Sequence, residues 1–328
     1  MSLNRKTLMI LAGLAVLMSL AACTREITTV EEVQAGASNC FNCHTDQDAT
    51  LTDAQVEWAN STHASGNTIA RGSSSSCSPC HSGTGFVAYL NGEEEVPNPT
   101  TIGCFSCHSP HSSSDFGLRI NDAVPLMNGF TQDLGSSNLC ISCHQSRRAV
   151  DEYVVAEGGV VEITSSHWGP HHSPQGDMLL GSNGFEFDGY TFESAAPLAH
   201  MSNACLTCHM DNGGGVDLGG HSFSMANLDD DLNVASCNVC HTDAEDFDID
   251  GAMTEIDVLA EELHTLLMDA GFVDVDGHPI EDTTPTLAQA GALWNFLMWE
   301  EDQSHGVHNP NYITSLLEAS IAEMTPVQ

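Results

Sequence analysis

The sequence predicts a mainly α-helical chain with extensive coil, in which a repeated motif lies among loops and a helical bundle closes the C-terminal end. Three observations predict this. The pentapeptide Cys-x-x-Cys-His occurs six times between Cys40 and His241 and uses twelve of the thirteen cysteines. Aromatic residues make up only 6% of the chain, and glycine- and serine-rich stretches such as 72–76 and 213–220 favour loops. Beyond residue 251, by contrast, apolar residues recur at helical spacing.

Each copy of the pentapeptide matches the attachment signature of c-type haem. The two thiols add to the vinyl groups of the porphyrin, and the adjacent histidine becomes the proximal iron ligand. A disulfide framework has no need of a histidine after every second cysteine, and zinc ribbons do not need six such half-sites. The sequence therefore predicts six covalently attached c-type haems. The attachment cysteines are Cys40, Cys43, Cys77, Cys80, Cys104, Cys107, Cys140, Cys143, Cys205, Cys208, Cys237 and Cys240, and the proximal histidines are His44, His81, His108, His144, His209 and His241.

The chain is short for the number of haems it would hold. Six haems leave about 50 residues of mature chain for each macrocycle, which is too few to bury it under protein alone. We therefore expect the haems to stack on one another and to form the core of a hexahaem domain, residues 40–250. The motifs are unevenly spaced, so the chain lacks the strict repeat of a solenoid.

The first 22 residues read as a secretory signal peptide. Arg5 and Lys6 form its charged start, and residues 8–20 form an apolar core too short to span a bilayer as a mature helix. The residues 20–23, Leu-Ala-Ala-Cys, resemble a bacterial lipobox, in which Cys23 becomes the lipidated first residue of the mature protein. An ordinary signal peptide with a bystander cysteine is the alternative. We expect residues 23–39 to be a tether that follows this lipid anchor.

The localisation follows from the same segment. Thr24 comes after Cys23, and the resemblance to lipoproteins implies that this residue favours the outer membrane, at the cell surface or on its periplasmic face. Haem is attached to such motifs outside the cytoplasm, so the signal peptide and the motifs agree.

The charge of the chain restricts its partners. Removal of Arg5 and Lys6 with the signal peptide changes the formal net charge from −38 to −40. The mature chain has no lysine, and 45 acidic residues oppose five arginines, which are Arg25, Arg71, Arg119, Arg147 and Arg148. Nucleic acid and anionic lipid surfaces are therefore poor partners, whereas basic redox proteins, cations and extracellular acceptors such as metal oxides are better ones. Solubility in a salty environment is the simpler reason for the acidity, so the acidity alone does not indicate a docking site.

Three helices are predicted in the C-terminal region, residues 251–328. An apolar stripe runs from Met253 to Phe272, a second helix is expected from Thr286 to about Asp302, and a third begins after Asn309-Pro310. We expect these helices to form a bundle that packs on the haem region.

Distal ligands separate an electron carrier from an enzyme. Eleven histidines lie outside the motifs, so every iron can receive a second imidazole, which saturates it and suits it to outer-sphere electron transfer. They are His63, His111, His167, His171, His172, His200, His221, His264, His278, His305 and His308. Methionine is an alternative axial ligand, at Met178, Met201, Met210 or Met225, although packing is its simpler role.

Five segments place histidines in short glycine-, proline- or serine-rich contexts: 58–64, 107–111, 170–179, 219–223 and 304–312. These segments resemble multihaem cytochromes c of metal-reducing bacteria and, distantly, the multihaem nitrite, hydroxylamine and tetrathionate redox superfamily. The resemblance implies a multihaem cytochrome c fold built around a chain of stacked haems. It also implies that histidines just after or shortly before a motif ligate a neighbouring haem. This rule points to His111 and His200, and by the same resemblance the remaining distal ligands are His63, His171, His221 and His308.

One ligand position is contested, and three further histidines have simpler roles. His167, His171 and His172 compete for one ligand position. His264 lies beside the apolar stripe of a helix, and His278 and His305 are expected on the surface.

The predicted function is that of a hexahaem lipoprotein that relays single electrons through bis-histidine haems in extracellular electron transfer, and not that of an enzyme. Two alternatives stay open. An oxyanion reductase of the nitrite type would keep one haem open, lined by His167, His172, Arg147 or Arg148. A cytochrome filament subunit would instead lend a distal histidine across an interface.

One acidic segment imitates a metal site. Residues 246–251, with Asp257 at the twelfth position, read like the start of a calcium loop that lacks its final glutamate. Calcium is therefore a possible further cofactor, and capping of the next helix by Asp250 is the alternative.

Overall fold

The structure is a computed structural model, and it describes most of the chain beyond residue 48. The described residues are 49–65, 69–93, 96, 98–109, 117–201, 203–213 and 215–325. All of them fall within one compact unit, residues 48–328. The signal peptide, Cys23, the first motif at 40–44 and His111 lie outside the described residues.

Short helices joined by coil carry the motifs. Most of them span four to six residues, too few for a helix to be stable in isolation, so their neighbours must hold them in place. These helices are α1 (Ala49–Ala59), α2 (Thr62–Ser65), α3 (Ile69–Gly72), α4 (Ser78–His81), α5 (Gly83–Leu90), α6 (Cys104–Cys107), α7 (Asn138–Ile141), α8 (Val150–Tyr153), α9 (Gln175–Leu180), α10 (Leu198–Met201) and α11 (Cys205–His209). Single 3₁₀ turns occupy Gly135–Ser137, Gly220–Ser222, Cys237–Val239 and Ile249–Gly251.

One antiparallel strand pair interrupts the helices. Strand β1 (Val124–Pro125) pairs with β2 (Thr131–Gln132), with Val124 opposite Gln132. Val124 and Leu126 pack on Ile141 to form a small apolar cluster directly beside the fourth motif. The mainly helical, coil-rich class that the sequence predicts is therefore confirmed.

Three longer helices follow at the C-terminal end, as predicted: α12 (Ala252–Asp269), α13 (Leu287–Asp302) and α14 (Pro310–Met324). Their starts obey helix-capping rules. The Thr286 hydroxyl accepts from the backbone of Gln289, whose side chain accepts from the Thr286 amide in return. Pro310 occupies the first turn of α14, and the Asn309 side chain accepts from the amide of Tyr312.

Helix α13 is buried on all sides, whereas the sequence pattern predicted one buried side. Every residue from 290 to 298 is buried. The reason is that an upstream segment, residues 154–187, joins the same apolar core as α12 and α14. That segment is tied to the loop before α13 by backbone hydrogen bonds from Val161 to Pro285 (2.8 Å) and from Ile163 to Thr283 (3.0 Å). The helix is therefore the centre of the C-terminal core.

Capping of α12 by Asp250 is wrong. The N-cap of α12 is Gly251, which has a positive φ and no side-chain cap, and Asp250 itself has φ 55°. The carboxylate of Asp248 takes the role instead, because it accepts from the amide (3.2 Å) and the hydroxyl (2.5 Å) of Thr254. Within the described residues, the acidic and histidine side chains that do converge are exposed and lie later in the chain, at Asp274, Asp276 and His278. Calcium at 246–257 thus stays a prediction without a gathered ligand set.

In the described part of the chain, no helix has both the length and the apolar character that crossing a bilayer requires.

Candidate haem-binding sites

Each described motif forms one tight helical turn. The amide of the motif histidine donates to the carbonyl of the first cysteine in four of them, at 3.1 Å for His81, 2.8 Å for His108, 2.9 Å for His144 and 2.7 Å for His241. In the fifth, helix α11 spans the whole motif, Cys205–His209. Positions i, i+3 and i+4 share one face of a helical turn, so both thiols and the imidazole of a motif point the same way. The ten described motif cysteines are free of disulfides, as attachment to a porphyrin requires.

Four motif histidines each face a histidine from a distant part of the chain. The ring centroids are 6.0 Å apart for His63 and His144, and 6.2 Å apart for His81 and His171. They are 6.3 Å apart for His108 and His221 and for His209 and His308. In every pair one partner belongs to a motif and the other does not.

These separations fit an iron atom between two imidazoles. A metal bond to an imidazole nitrogen is about 2.0 Å long, and that nitrogen lies about 1.1 Å from its ring centre, so two coaxial ligands place their centroids about 6.2 Å apart. The residues present therefore suit haem. His63, His171, His221 and His308 are placed where distal ligands would lie, on the motifs of His144, His81, His108 and His209.

Of the other two predicted distal ligands, His200 is described by the structure and His111 is not. His200 lies within electrostatic range of His241, the proximal histidine of the sixth motif. His44 and His111 both lie outside the described residues. Their ligand roles stay predictions.

The three competing histidines separate in the structure. His171 faces His81, whereas His172 packs beside His171 with centroids 5.0 Å apart and pairs through Nδ1 with the carboxylate of Glu301. The ring of His167 lies 6.3 Å from that of His172. A spacing of this size therefore indicates a haem only where one ring belongs to a motif.

Hydrogen bonds fix the tautomer of several of these rings. Nδ1 of His308 lies 2.8 Å from a carboxylate oxygen of Asp302, and Nδ1 of His209 lies 2.9 Å from the carbonyl of Phe223. Nδ1 of His144 lies 3.2 Å from the side-chain oxygen of Gln175. Because these partners accept, Nδ1 carries the proton and Nε2 keeps its lone pair for a metal, the usual arrangement of ligating histidines.

A similar carboxylate stands behind another predicted ligand. Nδ1 of His221 lies 3.5 Å from an oxygen of Glu57, which also accepts from the His221 amide at 2.9 Å. Helix α1 thereby holds the His221 turn against the third motif.

Burial keeps most of the paired rings neutral. Burial, with a smaller effect of His144, lowers the pKa of His63 to about 4. Burial, followed by His172 and Arg147, lowers the pKa of His171 to about 4. His308 differs. Burial lowers its pKa, but the carboxylate of Asp302 raises the pKa by more, so the net shift is upward. Neutral imidazole is the form that binds iron.

The motifs also touch one another. Cys80 raises the pKa of the Cys143 thiol and Cys205 raises that of Cys140, so the thiols of each pair are neighbours. Cys143 also lies 3.6 Å from the carbonyl of Pro79. The fourth motif therefore lies between the second and the fifth, which fits the expectation that the haems stack closely.

The histidines assigned to simpler roles are placed as the sequence predicts. His264 stacks on Phe296 with ring planes 7° apart, at the edge of the C-terminal core. His278 and His305 are exposed and lie next to Asp274 and Asp257. Sequence reasoning missed Asp302, Glu57 and Gln175 as partners of the paired rings. No spacing rule links these residues to a motif, so the sequence held no signal for them.

Comparison with known proteins gives matches among solved structures alone, because no family model and no curated protein matches this chain. The structure of the outer cell wall cytochrome OcwA matches with a TM-score of 0.55 and 19% identity, over 82% of this chain and 50% of that chain. This chain has a multihaem cytochrome fold.

A second solved structure also matches this chain. It is the undecahaem cytochrome from the S-layer of Carboxydothermus ferrireducens, with a TM-score of 0.49 and 21% identity, over 84% of this chain and 40% of that chain. This chain thus spans about half the length of the first structure and two fifths of the second.

Proposed function

We propose that this multihaem cytochrome is a hexahaem electron carrier in which every haem has two histidine ligands. The observation that carries the proposal is the set of four motif histidines that each face a distant histidine at 6.0–6.3 Å. One-electron reduction and reoxidation of iron is the chemistry that haem supplies when bound. The chain supplies the covalent attachment, both axial nitrogens and the surroundings that set each potential.

The paired rings suit electron transfer better than substrate turnover. In each of the four pairs, the histidine outside the motif would occupy the position on the iron that a substrate needs. The Nδ1 hydrogen bonds hold His144, His209 and His308 in fixed orientations, so little reorganisation accompanies a change of charge. Contact between the second, fourth and fifth motifs supports a continuous relay.

The proposal places this relay outside the cytoplasm, anchored by lipid on Cys23 to the outer membrane, in extracellular electron transfer. The signal-like segment 1–22, the lipobox-like residues 20–23 and the attachment motifs support this. The similarity in fold to an outer cell wall cytochrome supports a surface location. The net charge of −40 favours basic redox proteins or metal oxides as acceptors.

Low-temperature EPR of the oxidised holoprotein, with and without nitrite, tests the ligation. We expect low-spin ferric signals from all haems and no response to nitrite, together with a mass that corresponds to six haems. A high-spin fraction near one haem in six that shifts on adding nitrite would instead support the oxyanion reductase. A high-spin fraction that appears only on dilution would support a filament subunit, because a shared ligand is lost when subunits separate.

The anchor has its own test. Cys23→Ser should release the cytochrome from the membrane fraction and abolish labelling by a fatty-acid probe, without loss of haem. Retention of the variant in the membrane fraction with full labelling would contradict lipidation at Cys23.

A further inference from the structure

In the described part of the chain, the arginines bond to groups other than carboxylates. Among the described residues no arginine lies within ion-pair distance of an aspartate or glutamate, and the ion pairs recorded there all involve histidine. Arg119 donates Nε to the carbonyl of Phe105 at 2.7 Å, and Arg148 lies over the ring of Tyr153 and bonds its hydroxyl. In a mature chain with 45 acidic residues, arginines without carboxylate partners need another explanation.

Two of these arginines, Arg71 and Arg147, lie together beside the second motif. Arg71 lies in the last turn of the short helix α3. This helix packs closely on α4, because a Cβ added to Gly72 would lie 3.1 Å from the carbonyl oxygen of His81. Arg147 donates its guanidinium to the carbonyl of Ser76 at 3.4 Å, and its amide to the carbonyl of Pro170 at 2.9 Å. Both arginines are exposed.

Both arginines border the same loop. The amide of Ser74 donates to the carbonyl of Arg71 at 3.2 Å, and the guanidinium of Arg147 reaches the carbonyl of Ser76 two residues later. The residues of this loop, 73–76, are exposed serines and carry no carboxylate. The carboxylate of Glu301 is paired with His172.

We propose that Arg71 and Arg147 form a carboxylate-binding site next to the His81–His171 pair. A guanidinium with free N–H groups binds a carboxylate in a planar, two-point geometry, and two of them can hold one or two such groups. The carboxylate comes from one of two sources: a propionate of the haem held by this pair, or an anionic extracellular acceptor such as a metal–citrate complex. The proposal rests on the proposed function, because the site matters through the haem it adjoins.

Both sources give a measurable signature at this haem. A guanidinium beside a haem stabilises the reduced state, which carries one more negative charge. Loss of the two arginines should therefore shift one haem equivalent of a redox titration to lower potential. We expect about a tenfold change in the reduction equilibrium, or about 59 mV for one electron.

The experiment compares the holoprotein with Arg71→Gln, Arg147→Gln, their combination and Arg119→Gln, which removes the same charge beside another motif. Redox titration measures the haem potentials, and calorimetry measures citrate binding to the oxidised protein. A downward shift of one haem equivalent without citrate binding supports an internal propionate. Citrate binding that weakens at least tenfold in the double variant, and not in Arg119→Gln, supports an external carboxylate.

The proposal is overturned if the double variant matches the wild type in both measurements, or if Arg119→Gln produces the same shift of the same haem. The haem count by mass and the EPR spectrum are recorded for every variant. A wild type that lacks low-spin signals would contradict the proposed function, whereas intact signals with unchanged potentials would contradict the arginine site alone. Arg71→Lys with Arg147→Lys retains the charge and should restore the potential but weaken citrate binding.

Discussion

The motifs lie in helical turns of four or five residues, such as α4, α6 and α11, whereas α12, α13 and α14 span 18, 16 and 15 residues. The large apolar core belongs to the three long helices and the segment 154–187, and it includes no motif residue. Beside the motifs the described apolar cluster is small, with Val124, Leu126 and Ile141 at its centre. The C-terminal region is therefore stabilised by its own side chains, whereas under the proposed function the motif region is stabilised by its haems.

The stabilities of the two regions should differ most in chain that is made without haem. We expect amides of the motif helices to exchange hydrogen about a hundredfold faster or more in chain made without haem, because little apolar surface remains to hold them. Amides of α13 should keep most of their protection. Hydrogen exchange with mass spectrometry measures both in one sample. Equal loss in α13 would show that the C-terminal core also depends on haem.

Leu293→Ala should weaken the C-terminal core by about 2–5 kcal/mol, because Leu293 is fully buried in the central helix and the space it leaves cannot collapse. Denaturant unfolding followed by helical circular dichroism measures this loss. The matched control is Leu228→Ala, since Leu228 is fully exposed and its removal should change stability by less than about 0.5 kcal/mol. Similar losses for both variants would argue against a packed core around α13.

Asp177 joins the two regions, and it should make their stability depend on pH. Its carboxylate accepts from the amide of Ser146, near the fourth motif, and from Asn128 at 2.8 Å. Burial nevertheless raises the pKa of Asp177 from 3.8 to about 6. Because the folded state holds the proton more tightly than the unfolded state, stability is greatest below pH 4 and falls as pH rises to about 6.

Ionisation of Asp177 should lower the free energy of unfolding by about 2–3 kcal/mol between pH 4 and pH 6. Asp177→Asn does not titrate and should flatten this part of the stability curve. Unfolding midpoints measured from pH 4 to pH 7 compare the two proteins. An unchanged slope in the variant would assign the pH dependence to other groups.

Asp302 links the C-terminal helices to a motif through His308. Its substitution should have the smallest effect of those considered. Its carboxylate holds Nδ1 of His308, which faces His209. Asp302→Asn removes a buried negative charge and should raise the potential of one haem, by about 59 mV if the reduction equilibrium changes tenfold. The control is Asp257→Asn, which acts on the exposed His305 and should shift no haem. A downward shift, or none, would contradict the role of Asp302.

Sequence reasoning was strongest where the rule is local. Helix starts at Thr286 and Asn309 follow from capping patterns, and the motif turns follow from their spacing. The capping role of Asp248 was missed because it depends on the left-handed backbone of Asp250, which the sequence pattern does not reveal. The burial of α13 on every side was missed because it depends on a segment more than a hundred positions upstream.

The candidate sites show the same limit. That a motif histidine needs a partner follows from the chemistry of iron, but which histidine reaches it depends on tertiary structure. His171 and His172 are neighbours in sequence, yet one faces His81 and the other pairs with Glu301. The backbone decides between them, since His171 has a positive φ of 76°.

The paired histidines also have a meaning for the chain as a polymer. With iron between the two rings, each pair is a cross-link that closes a long loop: from His63 to His144, from His81 to His171, from His108 to His221, and from His209 to His308. The cost of closing a loop grows only with the logarithm of its length, so these four loops of similar size restrict the unfolded chain to nearly the same extent. Each loop overlaps the next, so rupture of one link leaves part of its span closed by a neighbouring link. Ligand exchange at a single iron would therefore loosen this chain locally without releasing it.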